Sequence, residues 1–477
     1  MQGNRRQFLS AALSLPAVAA ARAVETPRMS AWMRVNNPLE RYMNDYKRTF
    51  DAWEEGGVRA IALGRMYFIE DNGAQIPVFP ADSKIYESFG VAPPAATPRN
   101  LEKEKLFRAM VDDMARRGWE VLFFDRPRMG GSLPLKDDPY QVIGFVAGVQ
   151  DAMHAFPQVS GVIIDGPGEH HYELAFHHGG ELLELRRGER TQYEMLGKDI
   201  ARLERGIAHL RQRLHSLTPS VVRYHAHGGM MGGLALFDID EDVLYWFRTR
   251  QQAAIGFYEA VRNAINKTNP RAKLGGIPRA PAFSALTTQD YQRMAPYFDY
   301  VYPKHYFWNR GFDGMYGTVE RWVETLGEWN PKLTEEDCFA VVKSWFGLEL
   351  PGIKRLADME KGFPDEFFDR IVFGETRRAL EAVGNPDKVI AWVSSGRKPH
   401  AGDPMPSHDL ERILEASARA GLKRFLYQPD PDLGAPEWTV LSAFCGKPWR
   451  YVPGGYWPPD TPRPETTNGA RKPGDNR

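Results

Sequence analysis

Eight short apolar runs alternate with amphipathic helical segments, and polar residues gather just after those runs. Together these features predict an α/β fold, a (β/α)8 TIM-type barrel with a long helical insertion after the fourth strand. Alternation with helices of this length requires parallel pairing through βαβ crossovers, and eight such units close into a barrel. The count of eight depends on a short first strand at 32–35, and without it an open doubly wound sheet is the alternative. A composition of 43% hydrophobic, 12% aromatic and 26% charged residues matches a compact globular chain.

The strand-like runs fall at 32–35, 59–64, 120–125, Gly161–Asp165, Lys273–Ile277, 300–302, 389–393 and Arg424–Tyr427. Helical patterns follow most of them, at 39–53, 102–117, 242–266 and 408–420. In the last, Leu410, Ile413, Leu414 and Ala418 share one face while Glu411, Arg412, Glu415 and Arg419 share the other. The stretch 187–270 reads as a helical excursion between the fourth and fifth strands. Its acidic and basic helix at 193–215 resembles a solvated arm or lid. The glycine-rich segment 227–233 lacks the Gly-Lys-Ser/Thr ending of a phosphate loop and reads as a flexible loop over the site.

The ends of the chain carry different signals. Asn4-Arg5-Arg6-Gln7-Phe8-Leu9-Ser10, an apolar stretch and Ala21-Arg22-Ala23 are the parts of a secretory signal over 1–23. The Arg-Arg-x-Phe-Leu core resembles the twin-arginine type, which implies a periplasmic or secreted protein. Its apolar run is shorter than the ~20 residues a membrane span needs, so no stable anchor is expected. The catalytic domain is expected over 29–455, followed by a disordered Pro-rich tail at 456–477. Cys338 and Cys445 are expected to be free, buried thiols.

The chain holds 61 basic and 61 acidic residues, and losing Arg5, Arg6 and Arg22 with the signal leaves a small acidic excess. No concentrated basic surface is present, which excludes a nucleic-acid partner as the expected function. No Gly-x-Ser-x-Gly elbow and no dinucleotide fingerprint occur, so neither a serine esterase nor a nicotinamide enzyme is indicated.

In either α/β architecture ligands bind at the carboxyl ends of the strands. Arg65 follows the second strand, and Asp125 and Arg126 close the third. The fourth gives Asp165, then Gly166-Pro167-Gly168, then Glu169, His170 and His171. The sixth gives Lys304, His305, Tyr306, Phe307 and Trp308. Trp392 ends the seventh, and Gln428 and Asp430 follow the eighth. The rigid Gly-Pro-Gly spacer presents Glu169 just beyond the strand. Aromatic faces stack on the C–H faces of pyranose rings, and Tyr306, Phe307, Trp308, Trp345, Phe346, Trp392 and Tyr427 are placed near strand ends. Three adjacent aromatics at 306–308 cannot all point inward, so at least one lines a cleft.

A carboxylate in the position of Glu169 resembles the acid/base glutamate of barrel-type glycoside hydrolases. The resemblance is to the superfamily and matches no specific family. It departs from the chitinase Asp-x-Asp-x-Glu spacing, and it lacks a glutamate at the end of the seventh strand. It implies an exported glycoside hydrolase acting on an oligo- or polysaccharide, without cofactor or metal. Glu169 is then the general acid, with Asp165, Asp125, Asp430 or Asp432 as the second carboxyl. Arg65, Arg126, His170, His171, Lys304, His305, Tyr306, Trp308, Trp392 and Gln428 are the implied substrate contacts.

Two other functions fit the same residues. Six of the 12 histidines lie at 170–178 and 225–227, a pattern open to a metal-dependent barrel hydrolase or isomerase. A glycan-binding barrel without catalysis is the third.

Overall fold

Nine strands form one all-parallel sheet. They are β1 (Ser30–Val35), β2 (Val58–Leu63), β3 (Glu120–Phe124), β4 (Gly161–Asp165), β5 (Lys273–Ile277), β6 (Tyr300–Val301), β7 (Lys304–His305), β8 (Ala391–Val393) and β9 (Arg424–Tyr427). Their spatial order is β6-β5-β4-β3-β2-β1-β9-β8-β7. This computed structural model describes residues 29–124, 139–165, 183–185, 187–307, 314–361, 363–393, 407–429, 433–459 and 461.

The two outer strands, β6 and β7, are successive pieces of one extended run. Within it, Tyr302 and Lys304 donate their backbone N–H groups to the carbonyls of Gly276 and Pro278, on the β5 side. From the other side, Ile390 and Trp392 donate to the carbonyls of Val301 and Pro303. The run therefore bonds to both ends of the sheet, which curls back on itself. The single strand expected at 300–302 is broken because Pro303 has no N–H to give to a ladder.

Period-two alternation then divides the core into two layers. Residues such as Met33, Val35, Ile61, Leu63, Phe123 and Ile164 face outward into the main apolar cluster with the surrounding helices. Trp32, Ala60, Ala62, Leu122, Ile163, Tyr302 and Leu426 form a second cluster inside the curl. Each fully buried large aliphatic or Phe side chain contributes about 1.5–3 kcal/mol. Trp32 meets Tyr300 and Tyr302 edge-on at 5.4 and 5.7 Å. Room for Tyr302 comes from Gly275, where a Cβ would lie 2.7 Å from the ring. Below this layer Lys273 bonds Glu120, and the Tyr300 hydroxyl donates to Glu120 Oε2 at 2.8 Å, closing the amino-terminal end.

Helices cover the outside of the sheet. Among the described residues, five lie between β4 and β5: Arg187–Met195, Ile200–Leu214, Pro219–His225, Gly229–Phe237 and Glu241–Thr268. The expected helix at 193–215 is two helices, interrupted at Gly197 (φ 65°) and restarted by Asp199, whose side chain accepts from the Arg202 N–H. It is not a solvated arm. Leu203, Ile207, Leu210 and Leu214 are buried, and Gly206 approaches the Glu241–Thr268 helix so closely that a Cβ would lie 2.4 Å from the Asp242 carbonyl oxygen.

The glycine-rich segment 227–233 is likewise not a loop. It leads into the Gly229–Phe237 helix, where Gly232 sits against the His225 carbonyl. A second helical stretch, unanticipated from the sequence, separates β7 from β8 and includes Met315–Trp329, Glu335–Phe346 and Phe373–Val383. Past residue 455 the chain is still engaged: the Trp53 indole donates to the Tyr456 hydroxyl at 3.0 Å, and the Ala435 N–H donates to Thr461 Oγ1 at 2.6 Å. Cys338 and Cys445 are both buried.

Candidate active site at the carboxyl ends of the strands

The inward alternation that places Trp32, Ile163, Tyr302 and Leu426 in the curl brings the next inward residues to its carboxyl end. These are Arg34 on β1, Phe124 on β3, Asp165 on β4, Lys304 on β7, Trp392 on β8 and Gln428 just past β9. Arg279, two residues beyond β5, bridges to Lys304.

Asp165 is the centre of this group. Lys304 Nζ lies 3.1 Å from Asp165 Oδ1. The lysine side chain is 4% exposed and the aspartate 42%, so the pair is sealed on one side and open to the mouth on the other. Enclosure by protein pushes the Asp165 pKa up, but the Lys304 and Arg279 charges, the Lys304 hydrogen bond and then Arg34 outweigh it. The net effect holds the carboxyl below the ordinary value, so Asp165 is ionised at neutral pH. An ionised carboxylate can attack, accept a proton or stabilise a cationic centre, but it is a poor acid.

Arg279 is held by its backbone: its N–H donates to Gln289 Oε1 at 2.8 Å, and its carbonyl accepts from the Tyr291 hydroxyl at 2.6 Å. The residue is 1% exposed. Arg34 is held by its side chain. Its guanidinium lies 3.8 Å from the Phe124 ring centroid and 4.5 Å from that of Trp392, and Nη1 donates to Gln428 Oε1 at 3.0 Å. Trp392 in turn meets Phe124 and Tyr306 edge-on at 5.5 and 5.3 Å. The result is an aromatic and cationic wall beside the ionised carboxylate of Asp165.

Of the residues picked from sequence, Asp165, Lys304, Tyr306, Trp392 and Gln428 come together here. Arg65 stays on the exposed rim, where its N–H donates to Asn37 Oδ1 at 2.9 Å and its guanidinium meets the Tyr67 hydroxyl at 3.4 Å. Glu169, Asp125, Asp430, Asp432, Arg126, His170, His171 and Trp308 lie outside the described residues. Tyr427, Trp345 and Phe346 pack in the outer apolar layer and not at the mouth. Arg34 and Arg279 were missed by the sequence reading.

His305 belongs to the opposite face. It pairs with Val393, whereas Lys304 pairs with Trp392, and its ring lies 5.3 Å from Phe307 in the outer layer. It is 0% exposed, and neither ring nitrogen has a hydrogen-bond partner among the described residues. Burial pushes its pKa down from 6.5 to about 3. The folded state therefore takes up this proton less readily than the unfolded chain. Stability is full above 6.5 and is lost as pH falls from there toward 3, by about 1.4 kcal/mol per pH unit. His305→Leu should flatten that acid-side loss in urea titrations between pH 7 and 4. Unchanged acid sensitivity would show that the imidazole has another role.

Among the described residues, no group of three or more His, Cys, Asp and Glu side chains is placed to hold a metal ion. No helix among them is long and apolar enough to cross a membrane. No family model and no curated protein matches the chain.

Solved structures to which it is similar include three glycoside hydrolases. The PgaB (BpsB) glycoside hydrolase domain from Bordetella bronchiseptica is 12% identical, with 85% of this chain and 95% of that chain covered and a TM-score of 0.40. A GH18 chitinase from Pseudoalteromonas aurantia is 10% identical, covering 84% and 93%, with a TM-score of 0.37. A beta-glucosidase from Thermotoga maritima is 8% identical, covering 81% and 77%, with a TM-score of 0.33. Likeness of this degree assigns no activity.

Proposed function

We propose that this chain is an exported carbohydrate-active enzyme that hydrolyses glycosidic bonds at the carboxyl end of a (β/α)8 barrel. The observation that carries the reading is Asp165, kept ionised by Lys304 and Arg279 beside the aromatic wall of Phe124, Trp392 and Tyr306. Aromatic edges and faces suit the C–H surfaces of a sugar ring, and an ionised carboxylate suits the oxocarbenium-like centre of glycoside cleavage. In this reading the eight barrel strands are β1–β5, the run containing β6 and β7, β8 and β9. The helices over 187–270 form the insertion after the fourth.

Glycoside hydrolysis needs a second carboxyl that is protonated. Glu169 is assigned that role, four residues past Asp165 across Gly166-Pro167-Gly168. It donates the proton to the leaving oxygen, while Asp165 acts as the ionised partner; Asp125 and Asp430 are the alternative partners. A carboxyl separation of ~5–5.5 Å would give retention and ~6.5–9.5 Å inversion. The paired arginines at Arg5-Arg6 support export by the twin-arginine route, with residues 1–23 removed.

The test is release of reducing ends by the purified protein from a panel of polysaccharides and aryl glycosides, with and without chelator. Chelator-resistant hydrolysis is the expected result. Activity that disappears with chelator would move the chemistry to the histidine-rich segments. Binding without any hydrolysis would leave a glycan-binding barrel.

A further inference from the structure

We propose that Tyr291 and Glu375 are positioning residues of this site: they fix the turn after β5 so that the Arg279 guanidinium stays within electrostatic reach of Asp165. The proposal rests on the glycosidase reading above, in which Asp165 must be ionised. A long arginine side chain loses much rotamer freedom when held in one place, so its backbone has to be fixed first. Past β5 that backbone is tied from three sides. The Pro278 carbonyl accepts from the Lys304 N–H at 2.9 Å, and the Arg279 N–H donates to Gln289 Oε1 at 2.8 Å. The Arg279 carbonyl accepts from the Tyr291 hydroxyl at 2.6 Å. Arg279, Gln289 and Tyr291 are all buried.

A second layer holds the turn itself. Three residues beyond Arg279, the Ala282 N–H donates to Glu375 Oε2 at 2.6 Å, from the Phe373–Val383 helix. Arg378, in the next turn of that helix, donates through Nη1 to Glu375 Oε1 at 2.6 Å. Glu375 is buried as well, with one oxygen on the turn and the other on Arg378. The turn carries strain: Thr288, next to Gln289, has φ 63°, in the left-handed region that a β-branched residue rarely adopts. Strain of this kind persists only where the surroundings over-determine it, and it gathers at functional sites. Glu375 also acts on Tyr291. Burial and then the Glu375 carboxylate push the phenol pKa well up, so the hydroxyl stays a donor.

The consequence reaches Asp165 through charge. Arg279 acts with Lys304 on β7 and Arg34 on β1 to keep the Asp165 carboxyl below its ordinary value. Without the Tyr291 hydroxyl, the buried carbonyl of Arg279 loses its donor, and the backbone moves to satisfy it. The guanidinium shifts with its backbone, and Asp165 then takes up a proton at higher pH. Loss of the Glu375 carboxylate loosens the same turn from its other end.

The experiment reads the Asp165 titration without a substrate. Urea unfolding of the full chain is followed from neutral pH into acid for wild type and Asp165→Asn. Their difference in stability gives the pH at which Asp165 takes its proton in the folded state. The same pair is then made in Tyr291→Phe and Glu375→Ala backgrounds. The midpoint is expected to rise by about half a pH unit or more in both. Glu375→Gln, whose amide oxygen can still accept from the Ala282 N–H, should raise it less. Tyr291→Phe keeps the ring and decides the outcome should Glu375→Ala fail to fold. An unmoved midpoint, with stability lowered equally at every pH, is what a merely structural role gives, and it overturns the inference. Where glycans are cut, the acid limb of the pH–rate profile should move up in step. Hydrolysis with an unmoved midpoint sinks the inference and leaves the glycosidase reading standing. A raised midpoint in a protein that cuts no glycan does the reverse.

Discussion

Glu169→Gln is expected to lower kcat on natural glycans by about 10²–10⁴ with little change in KM. The glutamine keeps the size and hydrogen-bonding reach of the side chain and removes only the transferable proton. Since that proton is given to the leaving oxygen in the transition state, kcat and kcat/KM should fall together. The loss should be smaller on aryl glycosides whose phenol is already a good leaving group, because those need less protonation. A general acid works only while protonated. Wild-type activity should therefore fall as pH rises through the Glu169 pKa, and the variant should lose that alkaline limb. Full activity of Glu169→Gln on poor leaving groups would remove Glu169 from the chemistry and turn attention to Asp125 and Asp430.

The assignment of two roles to two carboxyls was half legible in the sequence. Asp165 ends an apolar strand, and a polar residue at that place is a recognisable signal. What the sequence could not give is its protonation state, which depends on Lys304 from β7 and on Arg279 beyond β5, far away along the chain. Arg34 was passed over because a charged residue in a short strand usually reads as an exposed edge. Here two aromatic rings from β3 and β8 cover it. Arg279 follows Pro278 in a segment whose local pattern gives no hint that the guanidinium will be buried.

Residues 304 and 305 are neighbours on a strand and so face opposite sides. Extending the inward series from Tyr300 and Tyr302 selects Lys304 and Tyr306 and leaves His305 outside. Pro303 interrupts the run, and that break hides from the sequence that β6 and β7 are continuous. For the helices, the apolar periodicity at 408–420 and 242–266 gave real elements, found as Ser407–Arg419 and Glu241–Thr268. The glycines at 228–233 misled, because glycine serves close backbone approach as readily as it serves mobility.

Lys304→Met tests the electrostatics of Asp165 directly. Removing one partner of a fully buried ion pair costs 3–5 kcal/mol, because the other charge is stranded. The cost here should be smaller, about 2–3 kcal/mol at pH 7, since Asp165 is open on one side and Arg279 and Arg34 remain. The sign of the pH dependence is fixed by the direction of the shift. The Asp165 pKa is lower in the folded state than in the unfolded chain, so its stabilisation is present above the unfolded value and is lost as pH falls through the folded one. Urea denaturation should therefore separate wild type from variant clearly at pH 7 and bring them together in acid. The same shift governs catalysis. If Asp165 must be ionised, the acid limb of the pH–rate profile should move to higher pH in Lys304→Met and stay nearer its original position in Lys304→Arg, which keeps the charge. Equal stability at pH 7 together with an unmoved acid limb would mean that Lys304 does not hold Asp165 ionised. The second carboxyl would then have to be sought after the third or the eighth strand.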